Sequence, residues 1–142
     1  MPDSIIQSHA APKPVGAYPH ARRVGNLLFL SGVGPRHPET NAIPGNVYDA
    51  EGRLTDYDIA LQCHQVFANV RAVLESSGAS FADLVDVTVF LTDMARDFKT
   101  YNQLYAQYFQ DAQPCRTTIG ITALPTPIAI ELKCIAALPE TR

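Results

Sequence analysis

The apolar positions of the chain include two stretches with helical spacing. In residues 55–77 they recur every three or four positions, which is typical of one face of an amphipathic helix. Thr55 or Asp56 can cap the start of this helix, and Gly78 suits the left-handed backbone that often follows a helix end. A second stretch with the same spacing covers Met94 to Phe109. We therefore predict two amphipathic helices.

Four further stretches have the patterns of β-strands. Residues 21–32 hold a Gly-Asn pair between two short runs and predict a hairpin whose second strand is buried. Leu84 to Leu91 alternates apolar and polar residues and predicts a strand with one buried face. Cys115 to Ala123 and Ile128 to Ala137 are separated by Leu-Pro-Thr-Pro, which suits a turn. We predict that these two strands pair as a closing hairpin.

The order of these elements predicts the fold class. Strands, a helix, a strand, a helix and a closing hairpin indicate a single α+β domain over residues 1–142, with one sheet covered on one face by two helices. Two helices cannot cover both faces of the sheet. The other face would expose apolar residues to water, so we expect copies of the chain to meet there as a homo-oligomer.

Composition and charge narrow the classes of function. The net charge is −3 and the basic residues are scattered, so nucleic acid is not an expected partner. No apolar run is long enough to span a membrane and the amino terminus lacks the features of a signal peptide, so we expect a cytoplasmic protein. Three cysteines without CxxC spacing predict neither a disulfide framework nor a zinc site.

Two charged residues of the predicted closing hairpin are candidates for chemistry. Glu131 interrupts an apolar strand, where a carboxylate is costly unless it is paired, solvated or needed. If the turn pairs Leu124 with Pro127, Glu131 lies opposite Gly120, and Arg116 projects from the same face further along. A small molecule could then lie between guanidinium and carboxylate. The alternative is a surface ion pair of little consequence.

At these residues the sequence resembles the Rid family, also called YjgF-like proteins or reactive intermediate deaminases. The resemblance extends over nearly the whole chain. It rests on five motifs that follow one another in order: Val15 to Ala21, Leu30 to Gly32, Thr88 to Met94, Pro114 to Thr118, and Ile130 with Glu131.

The resemblance implies a fold, an assembly and a reaction. Members of the family have a chorismate-mutase-like fold and form homotrimers, with active sites in clefts between neighbouring subunits. By position, Arg116 is expected to bind the substrate carboxylate through its planar pair of donors. Glu131 is expected to hold the water that hydrolyses an enamine or imine with release of ammonia. No metal or organic cofactor is expected.

Four further residues are expected at the site from the same resemblance. Tyr18 and Ser31 would supply hydroxyl groups to the cleft. Backbone groups of Gly32 and Thr118 would contact the nitrogen or carboxylate end of the substrate. Thr118 departs from the family pattern, because many deaminating members carry cysteine at that position.

A longer segment, Gly45 to Asp56, points to one branch of the family. Together with Gly34 to Pro38 it resembles the 2-aminomuconate deaminases, whose substrate is a six-carbon dicarboxylate that would be converted to 4-oxalocrotonate and ammonia. The second carboxylate needs a partner of its own. Arg36, His37 and Arg53 are the candidates, and the sequence does not choose among them.

Two other functions stay open. A broad deaminase of 2-imino acids and enamines would need the same residues. A non-catalytic trimer that binds carboxylate metabolites or acts as a chaperone would also be compatible, because fold does not determine function. A ribonuclease is disfavoured by the acidic isoelectric point near 5.7.

Overall fold

A computed structural model of the protein describes residues 4–139, which form eight strands and two α-helices. A 3₁₀ turn, Phe81–Asp83, precedes the sixth strand. The elements in chain order are β1 (Ser4–Ile6), β2 (Ala21–Val24), β3 (Leu27–Leu30), β4 (Val47–Tyr48), β5 (Leu54–Asp56), α1 (Ile59–Ser76), β6 (Leu84–Leu91), α2 (Met94–Phe109), β7 (Cys115–Gly120) and β8 (Ile130–Ala137).

Six of these strands form one mixed sheet in the order β1-β2-β3-β8-β6-β7. Strand β6 is antiparallel to β8 and parallel to β7. Both helices pack on one face of this sheet, where apolar side chains of α1, β6 and β8 form a single buried core. The predicted α+β fold with two helices on one sheet face is therefore confirmed.

The helix predictions are confirmed except for one boundary. Helix α2 spans the predicted residues, and Gly78 has a φ of +78° after the end of α1. The start of α1 is wrong in the prediction, because the helix begins at Ile59 and Asp58 caps it by accepting a hydrogen bond from the Leu61 N–H at 3.2 Å. Residues 55 and 56 lie instead in strand β5.

The predicted closing hairpin is wrong. Strand β7 ends at Gly120, β8 begins at Ile130, and β6 lies between them in the sheet. Helix α2 makes the connection from β6 to β7 a crossover, which places β7 parallel beside β6. Glu131 is therefore opposite Phe90, and Gly120 is opposite Leu91.

The segment Gly45 to Asp56, here called the arm, forms the two-stranded sheet β4-β5. Two residues of α2 anchor its carboxyl end. The Arg96 guanidinium donates to Asp56 Oδ1 and to the Tyr57 carbonyl, both at 2.8 Å, and stacks over the Tyr57 ring at 4.0 Å. The Tyr57 hydroxyl donates to Asp97 Oδ2 at 2.6 Å, and Asp97 is fully buried. A charged and aromatic clamp thus holds the arm against α2.

This clamp predicts that Tyr57→Phe destabilises the protein by about 1–3 kcal/mol, because a buried carboxylate would lose its hydrogen-bond donor. Burial raises the pKa of Asp97, and its other oxygen has no hydrogen-bond partner among the described residues. Urea denaturation measures the free energy of unfolding. Tyr48→Phe, at an exposed tyrosine of the arm, is the matched control and should change stability little. Equal losses in both variants would contradict the anchoring role.

Neither described helix combines the length and apolarity that crossing a bilayer requires. Within residues 4–139 no group of three histidine, cysteine, aspartate or glutamate side chains is placed to hold a metal ion.

Candidate active site

A cavity of about 100 Å³ brings together five of the predicted site residues: Tyr18, Ser31, Gly32, Arg36 and Glu131. Glu131 points away from the helices, because its neighbours Ile130 and Leu132 are buried in the core and side chains alternate along a strand. The segment after β3 and the chain around Tyr18 complete the walls. The cavity therefore opens on the sheet face that the helices leave uncovered.

The Glu131 carboxylate packs directly on the backbone of Gly32. A Cβ atom at Gly32 would lie 2.8 Å from Oε2 and 2.9 Å from Cδ of Glu131, so a glycine is required for this approach. Burial raises the pKa of Glu131, and no hydrogen bond or ion pair among the described residues opposes this shift. A half-buried carboxylate without a protein partner, at the edge of a cavity, is suited to act as a general base toward water.

Two residues with hydroxyl groups, Ser31 and Tyr18, also line the cavity. Ser31 Oγ donates to the Pro19 carbonyl at 2.7 Å, so its proton is already committed and its lone pairs remain to accept a hydrogen bond from a ligand N–H. The Ser31 N–H donates to the His20 carbonyl at 3.0 Å, which fixes the serine beside the segment that carries Tyr18. Tyr18 itself is 43% exposed. Its ring and hydroxyl are accessible to a ligand or a neighbouring molecule.

Of the three candidates for a second carboxylate, Arg36 lies at the cavity. Its guanidinium donates to Asn41 Oδ1 at 2.7 Å and to the Lys13 carbonyl, which leaves N–H groups for a ligand.

The other two candidates have structural partners and lie outside the cavity lining. His37 Nδ1 accepts from the N–H groups of Glu39 and Thr40, which orders the turn after it. The Arg53 side chain is 75% exposed and pairs with Asp49 and Glu51 within the arm. The structure thus favours Arg36 among the three.

Arg116 and Thr118 lie on the other face of the sheet. Arg116 is opposite Val87 in the sheet register, and its guanidinium donates to Asn102 Oδ1 at 2.8 Å and stacks over the Tyr105 ring at 4.8 Å. The prediction that Arg116 and Glu131 aim into one pocket from one hairpin face is therefore wrong within a single chain. The physical reason is the position of β6 between β7 and β8, which separates the two registers.

Two buried amides around the cavity were missed by the sequence predictions. Gln62 and Asn69 are 0% and 1% exposed and contact the loops that line the cavity. Their positions are related to the apolar stripe by helical spacing, since Ile59, Gln62 and Val66 are three and four residues apart. A polar amide at an inward-facing position was the signal that could have found them.

The contact between Gly32 and Glu131 predicts the effect of Gly32→Ala. The added methyl group would push the flexible end of the Glu131 side chain away, so we expect turnover to fall about 10- to 100-fold while the melting temperature changes little. Gly120→Ala is the matched control, because its Cβ would meet Met94 at an ordinary 3.7 Å. Unchanged turnover in the Gly32 variant would show that the position of this carboxylate is unimportant.

Comparisons with known proteins show which family the chain and its fold resemble. Residues 8–138 match the family model described as Endoribonuclease L-PSP. A RutC family protein of Pyrococcus abyssi is 38% identical over 96% of this chain and 98% of its own. The chloroplastic Reactive Intermediate Deaminase A of Arabidopsis thaliana is 37% identical over 94% of this chain and 65% of its own. The crystal structure of E. coli TdcF with bound serine has a TM-score of 0.82 and 31% identity, covering 96% of this chain and 99% of that one.

Proposed function

Since the chain belongs to the Rid (YjgF-like) family, with its chorismate-mutase-like fold, we propose that it is a hydrolytic deaminase of enamines and imines that carry a carboxylate. The observation that carries this proposal is the Glu131 carboxylate, which is half-buried, lacks a protein partner among the described residues and packs on Gly32 at the cavity. Such a group can hold and deprotonate a water molecule next to a bound substrate.

The proposed reaction needs no group beyond the substrate, water and protein side chains. The enamine tautomerises to an imine, and Glu131 takes a proton from water as the water oxygen adds to the imine carbon. Glu131 passes this proton to the nitrogen, and the product is a neutral carbinolamine. Glu131 then takes the proton of the carbinolamine hydroxyl and delivers it to the nitrogen as the C–N bond breaks and the C=O bond forms, so a ketone and ammonia leave. The Ser31 hydroxyl donates its proton to the Pro19 carbonyl, so Ser31 Oγ is left as an acceptor. It can accept a hydrogen bond from the N–H of the substrate and so orient the substrate nitrogen.

We propose that Arg116 of a neighbouring copy completes the site in a homotrimer. Three observations support this assembly. The cavity of one chain is smaller than the roughly 300–1,000 Å³ of typical ligand pockets. Strand β7, which carries the exposed Arg116, lies at the edge of the sheet. Neither helix of the described residues covers the sheet face with Glu131. The planar guanidinium would bind the substrate carboxylate in two parallel hydrogen bonds, and Thr118 would stand next to it.

For the substrate we propose 2-aminomuconate, which would give 4-oxalocrotonate and ammonia. This molecule has two carboxylates, and Arg36 supplies a second cationic group at the same cavity as Glu131. The arm, which the sequence relates to this branch of the family, forms a defined two-stranded element next to α1 and α2. The description of the family model names an endoribonuclease, but a net charge of −3 does not suit binding of a phosphate backbone.

One assay tests the function and its breadth. 2-Aminomuconate is generated in situ, and the decay of its absorbance is followed together with ammonia release; a short monocarboxylic 2-imino acid is assayed in parallel. Activity on the dicarboxylate alone would support the proposed substrate, and activity on both would indicate a broad deaminase. If neither compound is turned over, the enzyme proposal is contradicted and a metabolite-binding trimer is favoured.

A further inference from the structure

Helix α1 presents two buried amide side chains on one side of its surface. Gln62 and Asn69 are separated by seven residues, which is about two helical turns, so both point in nearly the same direction. An amide buried in a core is costly unless its donors and acceptors are bonded. Both amides are hydrogen-bonded, and each bonds to the backbone of a segment that lines the cavity with Glu131.

Asn69 holds the cavity wall that contains Arg36. Its Nδ2 donates to the carbonyls of Gly34 and Arg36 at 2.9 and 2.8 Å, and its Oδ1 accepts from Gln65 at 3.0 Å. Gly34 and Arg36 both line the cavity. The two amide hydrogens of one buried side chain therefore determine where the backbone of Arg36 lies.

Gln62 holds the segment that leads into Glu131. Its Oε1 accepts from the N–H of Ala129 at 2.8 Å, two residues before Glu131. Its Nε2 donates to Asn46 Oδ1 at 3.1 Å, and Asn46 Nδ2 donates in turn to the Pro127 carbonyl at 2.8 Å. Gln62 thus bonds the residue after Ile128, and Asn46 bonds the residue before it. Because Ile128 lines the cavity, these bonds connect the arm to the cavity wall.

We propose that Gln62 and Asn69 are positioning residues of the active site, each holding one wall. Asn69 places Arg36, which sets the preference for a dicarboxylate. Gln62, together with Asn46 of the arm, places the segment before Glu131, which sets the rate of water attack. The kinetic part of this inference rests on the proposed deaminase function. Neither amide has to touch the substrate.

Isosteric variants test the two roles separately in the full-length protein. In Asn69→Asp a carboxylate replaces the donor to two carbonyls, so we expect the KM for 2-aminomuconate to rise about 10-fold or more and the KM for a short monocarboxylic imino acid to change much less. In Gln62→Glu the acceptor for Ala129 is kept and the donor to Asn46 is lost. We expect kcat to fall about 10-fold on both substrates with little change in KM.

Matched variants separate these effects from general damage. Gln107→Glu makes the same chemical change at an exposed position of α2 and should leave both parameters unchanged. If an isosteric variant does not fold, Asn46→Ala takes the place of the Gln62 variant, and Asn69→Ser, which retains one donor, takes the place of the Asn69 variant. The same split between KM and kcat is expected from this pair.

Hydrogen exchange followed by mass spectrometry tests positioning without reference to activity. Asn69→Asp should accelerate exchange in residues 32–38 and leave residues 125–131 protected, and Gln62→Glu should do the reverse. If the wild type turns over neither substrate but this exchange pattern is found, the proposed function fails and the positioning role stands. If exchange rises equally in both segments, or wild-type kinetics persist in both variants, the inference is overturned.

Discussion

Glu131→Gln should abolish ammonia release, with a loss of about 10²- to 10⁴-fold in kcat, because the amide cannot accept the proton of the attacking water. The amide has nearly the same shape as the acid, so it should keep the contact with Gly32 and the walls of the cavity. Steady-state kinetics on 2-aminomuconate measure the effect, and sedimentation tests whether the assembly is unchanged. Glu75→Gln, at an exposed position of α1, is the matched control.

The same variant should not lower stability at neutral pH. Burial raises the pKa of Glu131, so the folded state binds this proton more tightly than the unfolded state does, and stability decreases as the pH rises through the folded pKa. The amide carries no such cost, and the melting temperature at pH 7 should be equal to that of the wild type or higher. A clear loss of stability, or near-normal turnover, would contradict the role of Glu131.

The raised pKa also determines the expected pH profile of the wild type. A general base must be deprotonated, so kcat/KM should rise with pH through an apparent pKa above 4.5, the ordinary value for glutamic acid. This acidic limb should be absent from whatever residual rate Glu131→Gln retains. A limb at or below the ordinary value would indicate that the essential carboxylate is exposed to water.

Local patterns predicted the helices and β6 because each depends on residues close together in sequence. Apolar residues recur every three or four positions in α1 and every second position in β6. Each pattern marks the side of the element that is buried, and burial of that side drives its packing. The start of α1 was misplaced because Thr55, Asp56 and Asp58 can all cap a helix, and the choice depends on pairing between β4 and β5.

The pairing of β7 could not be obtained from the same patterns. Strands β7 and β8 are close in sequence and separated by a proline-containing turn, which favours a hairpin locally. The competing signal is α2 between β6 and β7, which makes a crossover and puts these two strands in parallel. This error placed Arg116 on the wrong face of the sheet. Tyr18, Ser31 and Gly32 were expected near Glu131 only from the family resemblance, and the structure brings all four to one cavity.

Arg116 and Glu131 lie on opposite faces of the sheet. We therefore expect two inactive variants, one at each residue, to recover activity when they assemble into the same trimer. Arg116→Ala and Glu131→Gln should each be nearly inactive alone, but trimers assembled from equal amounts of both should recover activity. If a site takes Glu131 from one copy and Arg116 from the next around a ring, every trimer that contains both variants has one site with both native residues, which is about one third of its sites. Co-expression with two different affinity tags isolates these mixed trimers, and ammonia release per site measures the recovery.

The alternative arrangements give different numbers, so this experiment decides where the site lies. If both residues acted within one chain, every site in the mixture would lack one of them and no activity would return. A mixture of Arg116→Ala with the double variant Arg116→Ala/Glu131→Gln is the control, because no site in it can hold a native arginine. Recovery in that control would show that Arg116 is dispensable. Recovery confined to the first mixture would require a guanidinium from one copy and a carboxylate from its neighbour at the same substrate.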